Sequence, residues 1–249
     1  MTRDTACLVA CQLVELKNDL GLFKKGNRWA DPDIGQAASY MKRLYEDPAY
    51  GREMAHRAKS YIEDRLSMER ISGIIVERIG EIYEETDKES IKKVIPKSIL
   101  NWRSTKISKY LKCAKIAEYD PQAFETGINL IGPIQQSSGL GQSCRLLERA
   151  IKSTGISYKV FPYDSGKNGK INSFSKNLTY KINIFHINAH EFEYAFYQLR
   201  KESWDKHYNI AYWLWELEDF PDKWIPYTNI IDEIWTPAEF VSNSIRKKS

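Results

Sequence analysis

The stretch INLIGPIQQSSGLG, from Ile128 to Gly141, constrains the fold more than any other, because a largely apolar run leads into a Ser/Gly turn and an amphipathic segment follows at once. A short apolar run closed by a turn reads as a buried strand, and strand, turn, helix is the order by which α/β proteins build an anion site. Gly139 and Gly141 are free to take backbone angles closed to other residues. Without a Cβ they let backbone N–H groups approach phosphate oxygens at the positive end of the next helix dipole. The same glycines also serve simply to close a tight loop between strand and helix. The Gly-x-Gly-x-x-Gly dinucleotide fingerprint is incomplete, since Cys144 stands at the third glycine position. Asp164, just after the apolar run Tyr158 to Tyr163, stands where a ribose-binding acid would fall in a nicotinamide fold. That keeps an NAD-dependent oxidoreductase among the alternatives.

From residue 127 onward, strand and helix patterns alternate. Strands are predicted at about 127–132, 157–163, 181–187, 208–215 and 231–236, and helices at 140–154, 190–200, 222–228 and 237–246. Apolar strands separated by helices imply a parallel sheet covered on both faces, with ligands bound beyond the carboxyl ends of the strands. Three polar sets fall at those ends: Ser137 to Gly141, His186 with Asn188, and Glu216 with Glu218. A strand-end histidine is also an ordinary packed residue, and an acid past a strand is also an ordinary cap or ion-pair partner. The aromatics Tyr212, Trp213, Trp215, Trp224 and Trp235 are expected to be mostly core.

From Asp31 to about Glu85 the pattern is helical. Asp31-Pro32 and Asp47-Pro48 each read as a cap followed by proline at the first helical position, and Ser67 reads as a third cap. Three apolar stripes follow: Ile34, Ala37, Ala38, Met41, Leu44 and Tyr45; then Met54, Ala58, Tyr61 and Ile62; then Ile71, Ile74, Ile75, Ile79 and Ile82. This block holds no acid/base pair, metal cluster or phosphate loop, and reads as the end of something larger.

Between these blocks, eight basic residues from Lys92 to Lys115 occur without an acid among them. The segment 92–115 reads as a solvated connector, with peripheral contact to an anionic membrane as the alternative. The net charge of +4 over 249 residues is too mild to argue for nucleic acid. Hydrophobic content of 42% and charged content of 28% are those of a globular protein, with no run fit to span a bilayer and no signal peptide, which implies the cytosol. Cys7, Cys11, Cys113 and Cys144 are scattered, so reduced thiols are expected, and no second ligand pair joins Cys7 and Cys11 to make a metal site.

The runs GINLIGPIQQSSGLGQSCRLLERAIKSTGI, INIFHINAHEF and YNIAYWLWELEDFPDKWIPYTNIIDEIWTPAEFVSNSI together closely resemble the N-terminal, acceptor-side Rossmann domain of bacterial GT-B glycosyltransferases of the family 4 type. The run LVELKNDLGLFKKGNRWADPDIGQAASYMKRLYEDPAYGREMAHRAKSYIEDRLS resembles the C-terminal end of such an enzyme. The resemblance implies an α/β fold: a helical tail over 1–86, a basic linker over 87–126, and a Rossmann-like parallel sheet over 127–249 that begins a second unit. It further implies a nucleotide sugar as donor substrate, a growing cell-surface polysaccharide or lipid-linked glycan as acceptor, and no resident cofactor. The leaving diphosphate would meet the turn at Ser138, Gly139 and Gly141, and His186 would face the transferring sugar with Asn188 nearby. Glu216 would take an acceptor proton or bind a sugar. Neither block contains the glutamate-rich donor motif, so the chain by itself is expected to bind weakly and turn over poorly. A non-catalytic glycan- or partner-binding module is the second alternative.

Overall fold

The computed structural model describes residues 2–86, 116–163, 178–199 and 201–248; the basic segment 92–115, Cys113 and Asp164 lie outside them. Two compact units are defined, one of Met1–Ile71 with Leu217–Asp219, the other of Ser72–Glu216 with Phe220–Ser249. The division falls inside the third helix, whereas the sequence reading put the boundary after residue 86.

The first unit opens with an antiparallel hairpin, β1 (Cys11–Glu15) and β2 (Arg28–Pro32), that the helical reading of this block did not foresee. Asp31-Pro32 therefore ends a strand. The cap of α1 (Ile34–Glu46) is Asp33, whose side chain accepts from the Gln36 N–H. The other two caps fall where expected. Asp47 accepts from the Tyr50 N–H with Pro48 opening α2 (Pro48–Leu66), and Ser67 accepts from the Arg70 N–H at the start of α3 (Met68–Thr86). The stripe on α1 is not covered: Ile34, Met41 and Tyr45 are exposed, as are Leu13, Val14 and Trp29 on the hairpin. Periodicity identifies the face a helix would bury, but not whether anything is there to bury it.

The second unit holds a five-stranded sheet of β3 (Glu125–Gly132), β4 (Tyr158–Pro162), β5 (Tyr180–Phe185), β6 (Tyr208–Tyr212) and β7 (Glu233–Trp235). The order is β4-β3-β5-β6-β7 and every pairing is parallel. Helices α4 (Gly139–Ser153), α5 (Phe192–Leu199) and α6 (Glu239–Arg246) complete the alternation. β3 and β5 are buried nearly end to end, as strands covered on both faces must be. Two predicted elements differ. β6 stops at Tyr212, not 215, and the segment Asp222–Ile230 is a 3₁₀ helix because Pro226 lacks the N–H that an α-helix interior would use. The expected aromatic core is present: Trp213, Trp215 and Trp224 are buried and pack edge-on or stacked with Phe192 and Phe220.

α3 is fastened to this sheet, which is why the division falls inside it. Ile75, Ile79 and Ile82 are buried, and Arg78 Nε and Nη2 donate to the Glu233 carboxylate at 3.1 and 2.9 Å. That carboxylate also accepts from Tyr208 Oη and Trp235 Nε1. Tyr83 Oη accepts from the Gly127 N–H at 3.1 Å.

At the amino-terminal side of the sheet three fully buried asparagines stand in register, Asn129 beside Asn183 beside Asn209. Asn129 Nδ2 donates to Asn183 Oδ1, and Asn183 Nδ2 to Asn209 Oδ1, both at 2.9 Å. The remaining amide protons reach the carbonyls of Tyr180, Ser203, Trp204 and His207. A buried amide without partners is costly, so this ladder stabilises only one strand alignment: a one-residue slip would strand every member.

Candidate functional site

Counted from β3, the order of the sheet is second, first, third, fourth, fifth, and the reversal lies between β3 and β5. In open parallel sheets the crevice beyond the carboxyl ends at this reversal is where ligands bind. β3 delivers the loop 133–138 and the start of α4 to this point, β5 delivers His186, and β6 delivers Tyr212.

The loop is held by its own hydrogen bonds. Ser138 caps α4, its Oγ accepting from the Gly141 N–H at 3.1 Å. Arg145 donates from Nη1 to the carbonyls of Ile134 and Gln136, both at 2.9 Å, so its charge is spent on the loop. The two glycines differ. A Cβ on Gly141 would collide with the Gln136 carbonyl oxygen and come within 2.9 Å of the Pro133 oxygen, whereas one on Gly139 would meet nothing within 4 Å. Neither adopts a positive φ. The backbone freedom that the sequence offers at both is thus not used: Gly141 is needed for space, and Gly139 leaves the first turn open. The N–H groups of Gly139 and Leu140 open the helix, where no intrahelical acceptor exists, and the helix dipole favours an anion beside them.

Gly132, at the end of β3, is the glycine that composes the site. A Cβ there would lie 2.8 Å from Cys144 Sγ and 3.0 Å from His186 Cβ, so its absence lets α4 approach the sheet closely. Cys144 fills that contact fully buried, its thiol pushed up to about 12 by burial, a packed and inert group. One residue earlier on α4, Ser143 Oγ lies 3.0 Å from His186 Nε2. Tyr212 stacks on the His186 ring at 4.6 Å between centroids, 11° from parallel. Its hydroxyl interacts with Ser143, which opposes the rise that burial imposes on the phenol.

His186 itself is 0% exposed, and burial pulls its pKa down to about 4. It is neutral at pH 7 and sits behind Ser143 and Tyr212, which are half-buried. Asn188 Oδ1 accepts from the Leu214 N–H at 3.2 Å, tying the end of β5 to the segment after β6. Glu216 is exposed and acts electrostatically on His190, a histidine held below its ordinary pKa chiefly by burial. Glu218 belongs to the first unit, where it pairs with Arg28.

The structure thus places Ser138, Gly139 and Gly141 after β3 and the buried His186 after β5, on either side of the sheet reversal, holds Asn188 as a brace, and sets Glu216 where its charge acts on His190. Sequence reasoning passed over Gly132 and Ser143 as site-forming residues and placed Tyr212 among aromatics expected to be mostly core. The available signal was positional: Gly132 ends the first strand, and Ser143 precedes the cysteine at the third fingerprint position.

Among the described residues no group of three or more His, Cys, Asp or Glu could hold a metal ion, and no helix is long and apolar enough to cross a membrane. Fold and crevice define an α/β protein with a Rossmann-like parallel sheet. The chain matches no family model, no curated protein and no solved structure.

Proposed function

We propose that this chain is part of a nucleotide-sugar-dependent glycosyltransferase of the GT-B type, with the Rossmann-like unit as its acceptor-side half. The observation that carries the reading is the coincidence, at the sheet reversal, of an open helix start at Gly139 with the His186 group. A leaving diphosphate gains negative charge as the glycosidic bond breaks, and fixed N–H donors there stabilise that charge more in the transition state than in the ground state. Ser138 shapes the turn, Gly141 permits it, and Gly139 and Leu140 face the phosphate.

Turnover in this reading requires a donor-binding domain supplied from elsewhere, and the acceptor is a polysaccharide or lipid-linked glycan. The basic segment 92–115 would hold the protein at the cytoplasmic face of an anionic membrane. A second reading, a non-catalytic glycan- or partner-binding module, is favoured by the burial of His186, which leaves no histidine atom open to a ligand. An NAD-dependent oxidoreductase is disfavoured by Cys144 standing buried where the fingerprint needs glycine.

Isothermal titration against UDP, GDP, their sugar conjugates and NAD(H) tests the proposal. Binding of a nucleoside diphosphate in roughly the millimolar range (about −4 kcal/mol), and not of NAD(H), is expected. Silence toward every nucleoside diphosphate, or preference for NAD(H), overturns it.

A further inference from the structure

Past the carboxyl ends of β5 and β6 the chain sets out a second group of polar side chains. The 3₁₀ turn Ala189–Glu191 after β5 carries His190, and the segment after β6 carries Glu216, both exposed. Asn188 Oδ1, accepting from the Leu214 N–H at 3.2 Å, ties those two segments together. From the 3₁₀ helix Asp222–Ile230, Trp224 brings its ring to 6.0 Å from the imidazole, and Lys223 holds its ammonium 5.2 Å from the centre of that indole. Three residues further along each element, Tyr227 Oη donates to Glu193 Oε2 at 3.1 Å, so the two are braced against each other. Trp224 is held in turn by Trp215 and Phe220, both packed edge-on to it.

Unused capacity sets this group apart. His186 Nε2 meets Ser143 and His207 Nδ1 meets the Tyr180 carbonyl, whereas neither ring nitrogen of His190 has a hydrogen-bond partner among the described residues. Glu191 Oε1 stands 3.8 Å from its Nε2, too far for one. Glu216 and Lys223 likewise make no hydrogen bond or ion pair among the described residues. A neutral imidazole offers one donor and one acceptor, a carboxylate accepts, and an ammonium donates. A hydroxyl does both, so a ligand carrying several can use all three side chains. The charges select among such ligands. His190 is neutral at pH 7, and the carboxylates of Glu191 and Glu216 outnumber the single ammonium of Lys223, which disfavours an acidic sugar.

We propose that His190, Glu216 and Lys223 form a saccharide site, selective for neutral, hydroxyl-rich rings over acidic ones, and that the acceptor glycan rests there. The acceptor role depends on the glycosyltransferase reading; saccharide binding does not. Its position agrees with the rule that open parallel sheets take their ligands beyond the carboxyl ends of the strands. The sugar contact thereby falls to His190, which is exposed, and not to His186, which is wholly buried.

The whole chain has 4 histidines, few enough to follow by proton NMR of the imidazole Cε1–H signals, and His190→Gln identifies the signal of interest. Titration at pH 7 with the methyl glycosides of glucose, galactose and mannose should move the His190 signal and leave that of exposed His56 in place. Affinity in roughly the millimolar range is expected for the best of them. Glucuronate should bind about 3-fold more weakly or worse, and Glu216→Gln should narrow that gap. Lys223→Ala, a change at an exposed side chain, should weaken the best glycoside roughly 3- to 10-fold, the effect of one hydrogen bond. A His190 signal unmoved by all three glycosides, or moved no more than that of His56, overturns the inference even where UDP binds. So does glucuronate binding as tightly as the glycosides, or an unchanged affinity in Lys223→Ala. A His190 response to glycosides with silence toward every nucleoside diphosphate keeps the saccharide site and removes the glycosyltransferase reading.

Discussion

The two ends of the parallel sheet each bury polar side chains, and they do so in opposite styles. At the amino-terminal end, Asn129, Asn183 and Asn209 satisfy one another and the nearby carbonyls, while His207 Nδ1 lies 2.8 Å from the Tyr180 carbonyl and its ring stacks on Phe124. At the carboxyl end, His186 has one partner on Nε2 and none of good geometry on Nδ1, and that partner, Ser143, is half-buried. A closed network contributes alignment and stability but offers nothing to a ligand, since its donors and acceptors are used internally. The second network is unfinished inside, at Nδ1, and has only its half-buried serine within reach of the surface. The difference separates a closed from an unfinished polar network within one sheet.

The largest effect should come from breaking the closed network. Asn183→Ala removes the middle rung, leaving Asn129 without one of its two acceptors and the Asn209 Oδ1 and Ser203 carbonyl without these donors, all in the buried core. Losing roughly 3 to 5 kcal/mol of stability is expected, read as a shifted midpoint in urea at constant slope. A loss under about 1 kcal/mol would mean the ladder is not what fixes the strands.

Acid should weaken both ends together. His186 and His207 are each held near a pKa of about 4 by burial, against an ordinary value of 6.5. On acidification the unfolded chain takes up these protons first, so stability is complete above about pH 6.5 and falls as pH drops toward 4. The slope approaches about 1.4 kcal/mol per pH unit for each histidine, with His190 adding in the same direction. Denaturation midpoints between pH 7 and 5 measure it. His186→Phe should flatten the slope by one histidine's share, and a slope untouched by that change would mean His186 is not buried neutral.

Much of the second unit is visible in the sequence, because a parallel sheet writes itself as apolar runs between turn signals. The first unit's hairpin was not visible: β1 and β2 have no buried face, so neither carries the alternation that marks a half-buried strand. The helical tail was legible as helices, yet its third member's allegiance to the sheet depended on Arg78 meeting Glu233 across 155 residues, a pairing no local pattern records. The asparagine ladder left a trace in INL, INI and YNI, where an asparagine stands between two apolar or aromatic residues in β3, β5 and β6. Reading it as a ladder required the register. Glycine was the subtler lesson at the crevice. Composition pointed to Gly139 and Gly141 as a pair, but a glycine exists for space, for backbone angle or for approach, and only the neighbours say which.

Gly141→Ala and Gly139→Ala divide those roles. The first forces a methyl against the carbonyls of Gln136 and Pro133, backbone atoms that cannot swing aside, so the loop between β3 and α4 must shift. A cost of roughly 1 to 3 kcal/mol is expected, together with loss of anion binding. A valine there would damage the loop further, so an intact fold is not expected for Gly141→Val.

Gly139→Ala adds its methyl to open space at a position with no positive φ, and alanine is the better helix former. Stability should stay within about 0.5 kcal/mol of wild type in the same urea titration. The informative quantity is affinity for inorganic phosphate or UDP. A methyl over the first turn crowds the approach to the Gly139 and Leu140 N–H groups, so weaker binding with an unmoved denaturation midpoint would place the anion at this helix start. Equal binding and equal stability would remove the helix start from the site.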